Sequence, residues 1–217
     1  MSNFLSEHYL LSNKSSESIY SEINALPILD PHNHADVKEI AENEPYPDIW
    51  QIEGATDHYV WSLMRKFGID EDLITGSASP EEKWQMLGNI FEEIAGNPTY
   101  EWIHLDLKRI LAIDDNLSSD TAGAIFKKAR EILSTEEMRP QSILKKMNIE
   151  AMCSTDDPID SLEYHQSLNA DSSIAGLIRP TFRPDAAMNI FKAEWLDYIS
   201  KFEERVNTKF KSISDLI

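Results

Sequence analysis

Cysteine is nearly absent from this sequence: Cys153 stands alone among 217 residues, so no disulfide forms within the chain. A chain without disulfides is typical of a reducing compartment, and we expect the protein in the cytoplasm. No apolar run approaches the roughly 18 residues that a membrane helix needs, and the first residues lack the basic and apolar regions of a secretion signal. The sequence therefore predicts neither a disulfide-stabilised secreted domain nor a membrane-spanning protein.

Basic residues are also few. Lysine and arginine number 20 against 38 aspartates and glutamates, which gives a formal net charge of -18 at pH 7. A surface this acidic repels phosphate groups, so nucleic acids and anionic membranes are not expected partners. It also repels an anionic small substrate unless nearby cationic side chains hold it. The hydrophobic fraction of 41% is normal for a globular domain, and the length is enough for a sizeable core.

Strand signals are sparse and separated by a long helical stretch. Short apolar runs predict strands at 26–31, 149–154 and 174–178, and we expect Pro180 to end the third because proline cannot donate to a sheet. Apolar stripes at helical spacing predict helices at 16–26, 80–96, 100–111, 119–133, 140–147, 157–169 and 193–206. We expect Ser16, Ser119 or Asp120, and Asp157 to cap three of these helices.

The order of strand, helices, strand, helix and strand predicts an α/β fold with a parallel sheet. An open doubly wound sheet and a barrel both fit this order. A barrel needs eight strands and typically about 250 residues, whereas the sequence offers three strands. The chain is therefore either a small open sheet or the front part of a larger fold.

His32 and His34 follow the first predicted strand, in the run Asp30-Pro31-His32-Asn33-His34. Residues at positions i and i+2 of a strand point to the same side, so both imidazoles are able to reach one metal ion. Sites of α/β proteins lie at the carboxyl ends of strands, which favours a metal site here. The alternative is a pair of surface loop histidines.

His58 and Tyr59 form the second candidate. A histidine transfers protons near neutral pH, and a tyrosine acts as an acid or a hydrogen-bond donor. Taken by itself, the pattern is better explained by a helix that begins here, with Asp57 as its cap and Tyr59 and Trp61 packing against it.

Two further candidates follow the later strands. Asp156 follows the second strand and could face a site, whereas capping of the next helix is enough to explain Asp157. Arg183 follows the third strand and could hold a carboxylate with two hydrogen bonds; an ion pair with Asp185 or another surface acid is the alternative. Arg179 is less favoured because it precedes Pro180.

The remaining titratable side chains carry no partner motif. His8, His104 and His165 lie in predicted helices or unassigned segments, where a structural or surface role is expected. Cys153 lies in a predicted strand, where it is expected to pack as a small hydrophobic residue.

Together these pieces resemble the uronate isomerases of the amidohydrolase superfamily, from Phe4 to about Asp185 or beyond. Any one matching segment would be weak, whereas all of them in order are specific. The segments are LPILDPHNH at 26–34, IAEN at 40–43, DHYVW at 57–61, CSTDDPIDSL at 153–162 and PTFRPD at 180–185.

The resemblance implies the amino-terminal portion of a distorted (β/α)8 barrel, residues 1–217, with a mainly helical insertion at 60–148 after the first strand. It implies interconversion of aldose and ketose hexuronates: D-glucuronate to D-fructuronate, and D-galacturonate to D-tagaturonate. By the same resemblance, His32 and His34 bind a divalent metal, usually zinc. His58 and Tyr59 lie where a proton moves between C1 and C2 through an enediol, and Arg183 contacts the sugar acid.

The chain departs from the family in length. The family's last-strand aspartate, a metal ligand, and a nearby arginine have no counterpart here, and about five of eight strands are missing. The amphipathic segment 210–217 lacks a terminal cap, which favours a truncated chain. We therefore expect little or no turnover by the isolated chain, and an exposed sheet edge that favours a homo-oligomer. The alternatives are a metal-dependent hydrolase of the same superfamily and a non-catalytic fragment.

Overall fold

The computed structural model describes residues 4–216, without the side chain of Leu216, and it has an α/β fold. Its helices and strands are α1 (Lys14–Ile23), β1 (Ile28–Asp30), α2 (Val37–Glu42), α3 (Ile49–Glu53), α4 (His58–Lys66), α5 (Pro80–Phe91), α6 (Pro98–Arg109), α7 (Ala122–Leu133), α8 (Pro140–Lys146), β2 (Ile149–Asp156), α9 (Glu163–Ala170), β3 (Ile178–Phe182), α10 (Asp185–Met188), α11 (Trp195–Val206) and α12 (Ile213–Leu216). None of these helices combines the length and apolar character that crossing a membrane requires, within the described part of the chain.

The chain divides into two compact units. The first comprises Met1–Leu26 and Glu44–Ile143, and the second comprises Pro27–Asn43 and Leu144–Ile217. Residues 4–143 contribute β1 as their sole strand, so the segment between β1 and β2 is helical throughout its regular structure. The sequence-based expectation that a mainly helical insertion runs from 60 to 148 stays a prediction.

The first unit is a helical bundle around a large apolar core. Helix α5 begins at a capping box in which the Ser79 side chain and the Glu82 side chain each bond the other residue's backbone N–H, and Pro80 follows the cap. Its apolar stripe is buried, and the indole Nε1 of Trp84 donates to the carbonyl of Ala122 on α7 at 3.1 Å. Gly88 permits this approach, because a Cβ there would lie 2.7 Å from that of Ala122.

The second unit contains a parallel sheet of three strands in the order β1-β2-β3, among the residues described. Helices α2 and α9 cover one face, where a small apolar cluster is buried: Ile40, Met152, Leu168, Ile174 and Ile178. The opposite face is less covered, since Leu29 on β1 is 66% exposed. The sheet therefore has one packed face and one open face.

The third strand lies four residues later than predicted. Residues 174–177 form a turn in which the Leu177 N–H donates to the Ile174 carbonyl and Gly176 adopts φ +78°. The strand that follows includes Pro180, which was expected to end it. Proline is tolerated because β3 is an edge strand of the described sheet, where one side of the strand needs no ladder hydrogen bond.

The helix after β2 begins later than predicted, at Glu163 instead of Asp157. The Asp157 carboxylate accepts from the Ile159 N–H at 3.1 Å and from the Tyr198 hydroxyl at 2.7 Å. Asp157 is therefore used in a turn that contacts α11, and it caps no helix. The expected caps of α1 and α7 are also wrong, because Asn13 caps α1 and Thr121 precedes α7 without a side-chain cap.

The segments near the two ends of the chain hold one exposed helix and one short helix. The apolar face predicted for the first helix is exposed in α1, where Ile19 is 61% and Ile23 is 51% exposed. Helix α12 occupies half of the amphipathic segment at 210–217, and Ile217 lies outside the described residues.

Candidate active site at the carboxyl ends of the strands

His32 and His34 lie in the loop that leaves the carboxyl end of β1. The Asp30 carboxylate fixes the start of this loop, because it accepts from the His32 N–H at 3.1 Å and from the Asn33 side-chain amide at 3.3 Å. The two imidazole rings are exposed and lie edge to face, with their centroids 4.8 Å apart. The structure therefore brings this predicted pair together.

The end of β2 holds the residue between the two histidines. The Asn33 N–H donates to the Cys153 carbonyl at 3.0 Å, and the Thr155 hydroxyl donates to the Asn33 carbonyl at 2.7 Å. The Asn33 side-chain carbonyl also accepts from the Ala35 N–H at 3.1 Å. Both backbone groups of Asn33 are thus bonded, so the path of the loop that carries the imidazoles is fixed by its neighbour strand.

These imidazoles suit a divalent metal ion as two members of a ligand set. Neutral imidazole nitrogen is a common zinc ligand, and zinc sites use three or four protein ligands. Among residues 4–216, no group of three or more histidine, cysteine, aspartate or glutamate side chains is arranged to hold a metal ion. His32 and His34 are therefore two donors that would suit such an ion, and the described residues place no third side chain of these types beside them.

Arg183 follows the end of β3 in the same unit. Its backbone N–H donates to the Asp156 carbonyl at 2.9 Å, and its side-chain Nε donates to the Asp185 carboxylate at 2.7 Å. The ion pair left open by the sequence is therefore present. Both side chains are about half exposed, at 47% and 60%, and exposed ion pairs of this kind contribute little stability. The guanidinium is therefore accessible and weakly held.

A buried polar network lies beside the end of β2, and the sequence analysis named only its Asp156. The Ser154 hydroxyl bonds the Asp156 carboxylate at 2.7 Å and lies 2.8 Å from the His165 Nε2. Ser154 and His165 are 1% and 5% exposed. A cavity of about 360 Å³ adjoins the network and is also lined by Asp36 and Lys38 of the second unit.

A sequence signal for this network existed. Met152 and Ser154 are two residues apart on β2, so their side chains point to the same face, and both are buried. This spacing predicts a polar side chain among apolar ones. His165 serves a structural purpose here, as the sequence predicted, because it joins α9 to this strand.

His58 and Tyr59 open helix α4 in the first unit. Asp57 caps the helix, since its carboxylate accepts from the Tyr59 N–H at 2.7 Å. The prediction of a capped helix start is confirmed, but Tyr59 is 57% exposed and does not pack as expected. The two rings lie side by side with centroids 4.2 Å apart, so the pair faces solvent as a unit.

A buried acid lies just before this helix. Glu53, 8% exposed, ends α3, and burial raises its pKa well above the usual value, with a further contribution from the nearby charges of Asp106 and Asp57. Partial desolvation also raises the pKa of Asp106 to about 6. Glu53 at the end of α3 and Asp106 on α6 are therefore carboxyl groups that hold a proton to higher pH than exposed acids do.

His104 confirms its predicted structural role in the first unit. It is 3% exposed, and its Nε2 accepts from the Leu117 N–H at 2.8 Å. Burial lowers its pKa to about 4, so the ring is neutral at pH 7 and joins α6 to the loop before α7.

Replacement of Glu53 by glutamine is expected to raise the free energy of unfolding near pH 8 by about 1–3 kcal/mol, because a buried charge is removed. The raised pKa of Glu53 means that its protonated form stabilises the fold fully below about 4.5, and that this stability is lost as the pH rises through the folded pKa. Urea unfolding across about pH 4.5–8 tests this, and the variant should have the flatter profile.

The matched control is Glu93→Gln, since Glu93 is an exposed carboxylate in the same unit. This control should change stability by less than about 0.5 kcal/mol. An unchanged pH profile in the Glu53 variant would contradict the assignment.

The comparisons with known proteins agree on one family. A family model described as glucuronate isomerase matches residues 1–217. A uronate isomerase from Thermotoga neapolitana is 51% identical over 205 residues, which is 94% of this chain and 45% of that protein. One from Lachnoclostridium phytofermentans is 38% identical over 218 residues, which is 100% of this chain and 47% of that protein.

Solved structures give the same result. The crystal structure of uronate isomerase from Thermotoga maritima has a TM-score of 0.89 and 48% identity, covering 94% of this chain and 45% of that one. Glucuronate isomerase from Caulobacter crescentus has a TM-score of 0.82 at 24% identity, over 88% of this chain and 41% of that one, which supports the fold alone. The chain thus spans less than half the length of these relatives. Because the family model matches over residues 1–217, the chain belongs to the glucuronate isomerase family.

Proposed function

We propose that this chain supplies the amino-terminal part of a cytoplasmic enzyme that interconverts aldose and ketose hexuronates: D-glucuronate with D-fructuronate, or D-galacturonate with D-tagaturonate. The observation that carries the proposal is the placement of His32, His34 and Arg183 after the carboxyl ends of β1 and β3 in one parallel sheet. Active sites of α/β enzymes lie at this end of the strands. The names of the relatives supply the substrate class.

Arg183 is proposed to bind the substrate carboxylate. A guanidinium matches a carboxylate with two parallel hydrogen bonds, and it stays charged at every relevant pH. The chain has a net charge of -18, so an anionic sugar needs such a local cation. Exchange of the exposed Asp185 partner for the substrate carboxylate keeps the guanidinium paired at little cost.

His32 and His34 are proposed to hold a divalent metal ion, with zinc as the first choice for two imidazole ligands. When bound, such an ion polarises and orients substrate oxygens. Zinc sites use more ligands than these two, so the proposal requires further ligands from polypeptide beyond the described residues or from a second chain.

His58 and Tyr59 are proposed to transfer the proton of the isomerisation. In the aldose-to-ketose direction a proton leaves C2 and one arrives at C1, through an enediol whose hydroxyl protons must also be exchanged. An imidazole and a phenol held side by side suit these steps, because one accepts a proton while the other donates. Both rings are exposed, so substrate is able to reach them.

The three strands are proposed to be part of a distorted (β/α)8 barrel. Parallel strands in sequential order, with helices on one face, are what consecutive barrel strands give. Leu29 and Phe182 are 66% and 65% exposed, and the other strands of a barrel would cover such residues. Exposed apolar strands also favour association, so we propose that the chain forms homo-oligomers.

The metal proposal predicts that zinc binding depends on the histidine pair. His32→Ala and His34→Ala are each expected to weaken zinc affinity at least about tenfold, because each removes one of two ligands. Isothermal titration calorimetry at about pH 7.5 measures this, with the chain mixed with the carboxyl-terminal half of the Thermotoga neapolitana relative so that further ligands are available. His8→Ala is the matched control, since His8 is an exposed histidine in the other unit. This variant should leave the zinc affinity unchanged. Equal affinity in all variants would exclude this pair as ligands.

The activity proposal predicts that the chain needs a complementing segment. Purified chain with zinc should convert D-glucuronate at a negligible rate, whereas mixing it with the carboxyl-terminal half of the Thermotoga neapolitana relative should restore ketose formation. Arg183→Gln should then raise KM at least about tenfold, since the charged hydrogen bonds to the carboxylate are lost. Robust turnover by the chain alone, or no turnover by the mixture, would refute the proposal.

A further inference from the structure

The carboxyl end of β2 is tied to β3 through Asp156. One carboxylate oxygen of Asp156 accepts from the Ser154 hydroxyl at 2.7 Å and from the Thr181 N–H at 3.2 Å. The backbone carbonyl of Asp156 accepts from the Arg183 N–H at 2.9 Å. Asp156 therefore holds one backbone position of β3, through its side chain, and the residue that follows the strand, Arg183, through its backbone carbonyl.

A buried histidine supports this carboxylate from the helix side of the sheet. The His165 Nε2 lies 2.8 Å from the Ser154 hydroxyl oxygen and 3.6 Å from the Asp156 carboxylate. The Ser154 hydroxyl also lies within reach of the Arg179 carbonyl, at 3.3 Å. With its hydrogen on the shorter bond to Asp156, the Ser154 oxygen accepts from the tautomer of His165 that carries a proton on Nε2. The Asp156 side chain is 13% exposed. Each member is therefore bonded within the network and held in one geometry.

The Arg183 side chain is held by few contacts of its own, so its position depends on how its backbone is held. The Arg183 guanidinium is 47% exposed and pairs with an exposed aspartate. The firm attachment near this residue is its backbone bond to Asp156. A displacement of about 1 Å in a binding group is enough to cost a large factor in rate. The position and direction of the guanidinium therefore depend on where the end of β2 holds the Arg183 backbone.

We propose that Ser154, Asp156 and His165 form a positioning network that sets the place of Arg183 for the carboxylate of the sugar acid. These are positioning residues, and Arg183 makes the substrate contact. The inference rests on the proposed function for its substrate, but the link from Asp156 to Arg183 stands on the hydrogen bonds alone.

The first test measures backbone amide hydrogen exchange in the 217-residue chain by NMR. Asp156→Asn retains the shape but removes the charge of the oxygen that accepts from Thr181, so the Thr181 amide should exchange about tenfold faster or more. The Arg183 amide, whose acceptor is the Asp156 backbone carbonyl, should exchange faster by a smaller factor, because the end of β2 that carries this carbonyl is less firmly held. Glu150→Gln is the matched control, with the same charge change at an exposed position of the same strand, and should leave both amides unchanged.

If Asp156→Asn fails to fold, Ser154→Ala decides the matter, because it removes one donor to the carboxylate and leaves the charge in place. Faster exchange of Thr181 and Arg183 in that variant, with slow exchange retained in α5, supports the network. Unchanged exchange at both amides in a folded variant overturns it.

The second test measures the effect on substrate in the chain complemented with the carboxyl-terminal half of the relative. Asp156→Asn should raise KM for D-glucuronate about tenfold with a smaller change in kcat, and should add no further increase once Arg183 is replaced by glutamine. A KM increase of equal size in the Arg183→Gln background would indicate a merely structural role and overturn the proposal. If the unsubstituted mixture has no isomerase activity, the proposed function fails, while the exchange experiment still decides the positioning network.

Discussion

The end of β2 is the part of the second unit on which the candidate site depends. Its backbone and side chains hold the loop of the histidine pair on one side, through Thr155 and Cys153, and Arg183 on the other, through Asp156. In a parallel sheet the middle strand is bonded on both sides, so its position is better determined than that of its neighbours. A central strand thus aligns groups that the flanking strands carry.

Charge is the second organising constraint. The chain carries 38 acidic residues, and those discussed above differ in burial and in their hydrogen-bond donors. Asp57 and Asp30 accept backbone N–H groups and fix a helix start and a loop. Asp156 is enclosed by donors, whereas Glu53 is buried with raised pKa. In a chain this acidic, an exposed arginine at the carboxyl end of a sheet strand supplies the local positive charge that an anionic ligand would need there.

The sequence predicted the elements whose signals are local. The wide apolar stripe of α5 placed that helix to within a few residues, and the short apolar run at 26–31 placed β1. The sequence failed where the deciding contact is distant: the start of β3 depends on pairing with β2, and Asp157 is drawn into a turn by Tyr198, 41 residues away.

The site was predictable in part for the same reason. Motif spacing named His32, His34 and Arg183, and the structure puts them after strands of one sheet. The supporting network was missed because its members come from a strand and a helix that meet only in the folded chain. Exposed apolar faces on α1 and β1 were also unpredictable, since periodicity identifies an amphipathic element without identifying what covers it.

The central claim is that Arg183 binds the carboxylate of a hexuronate. The most direct measurement is an NMR titration of the side-chain Nε–H of Arg183 in the complemented, zinc-loaded chain, with D-glucuronate and, separately, with uncharged D-glucose. The account predicts a saturable shift of the Arg183 resonance with D-glucuronate and none with D-glucose. An Arg183 resonance that stays unchanged at D-glucuronate concentrations that saturate turnover would contradict it.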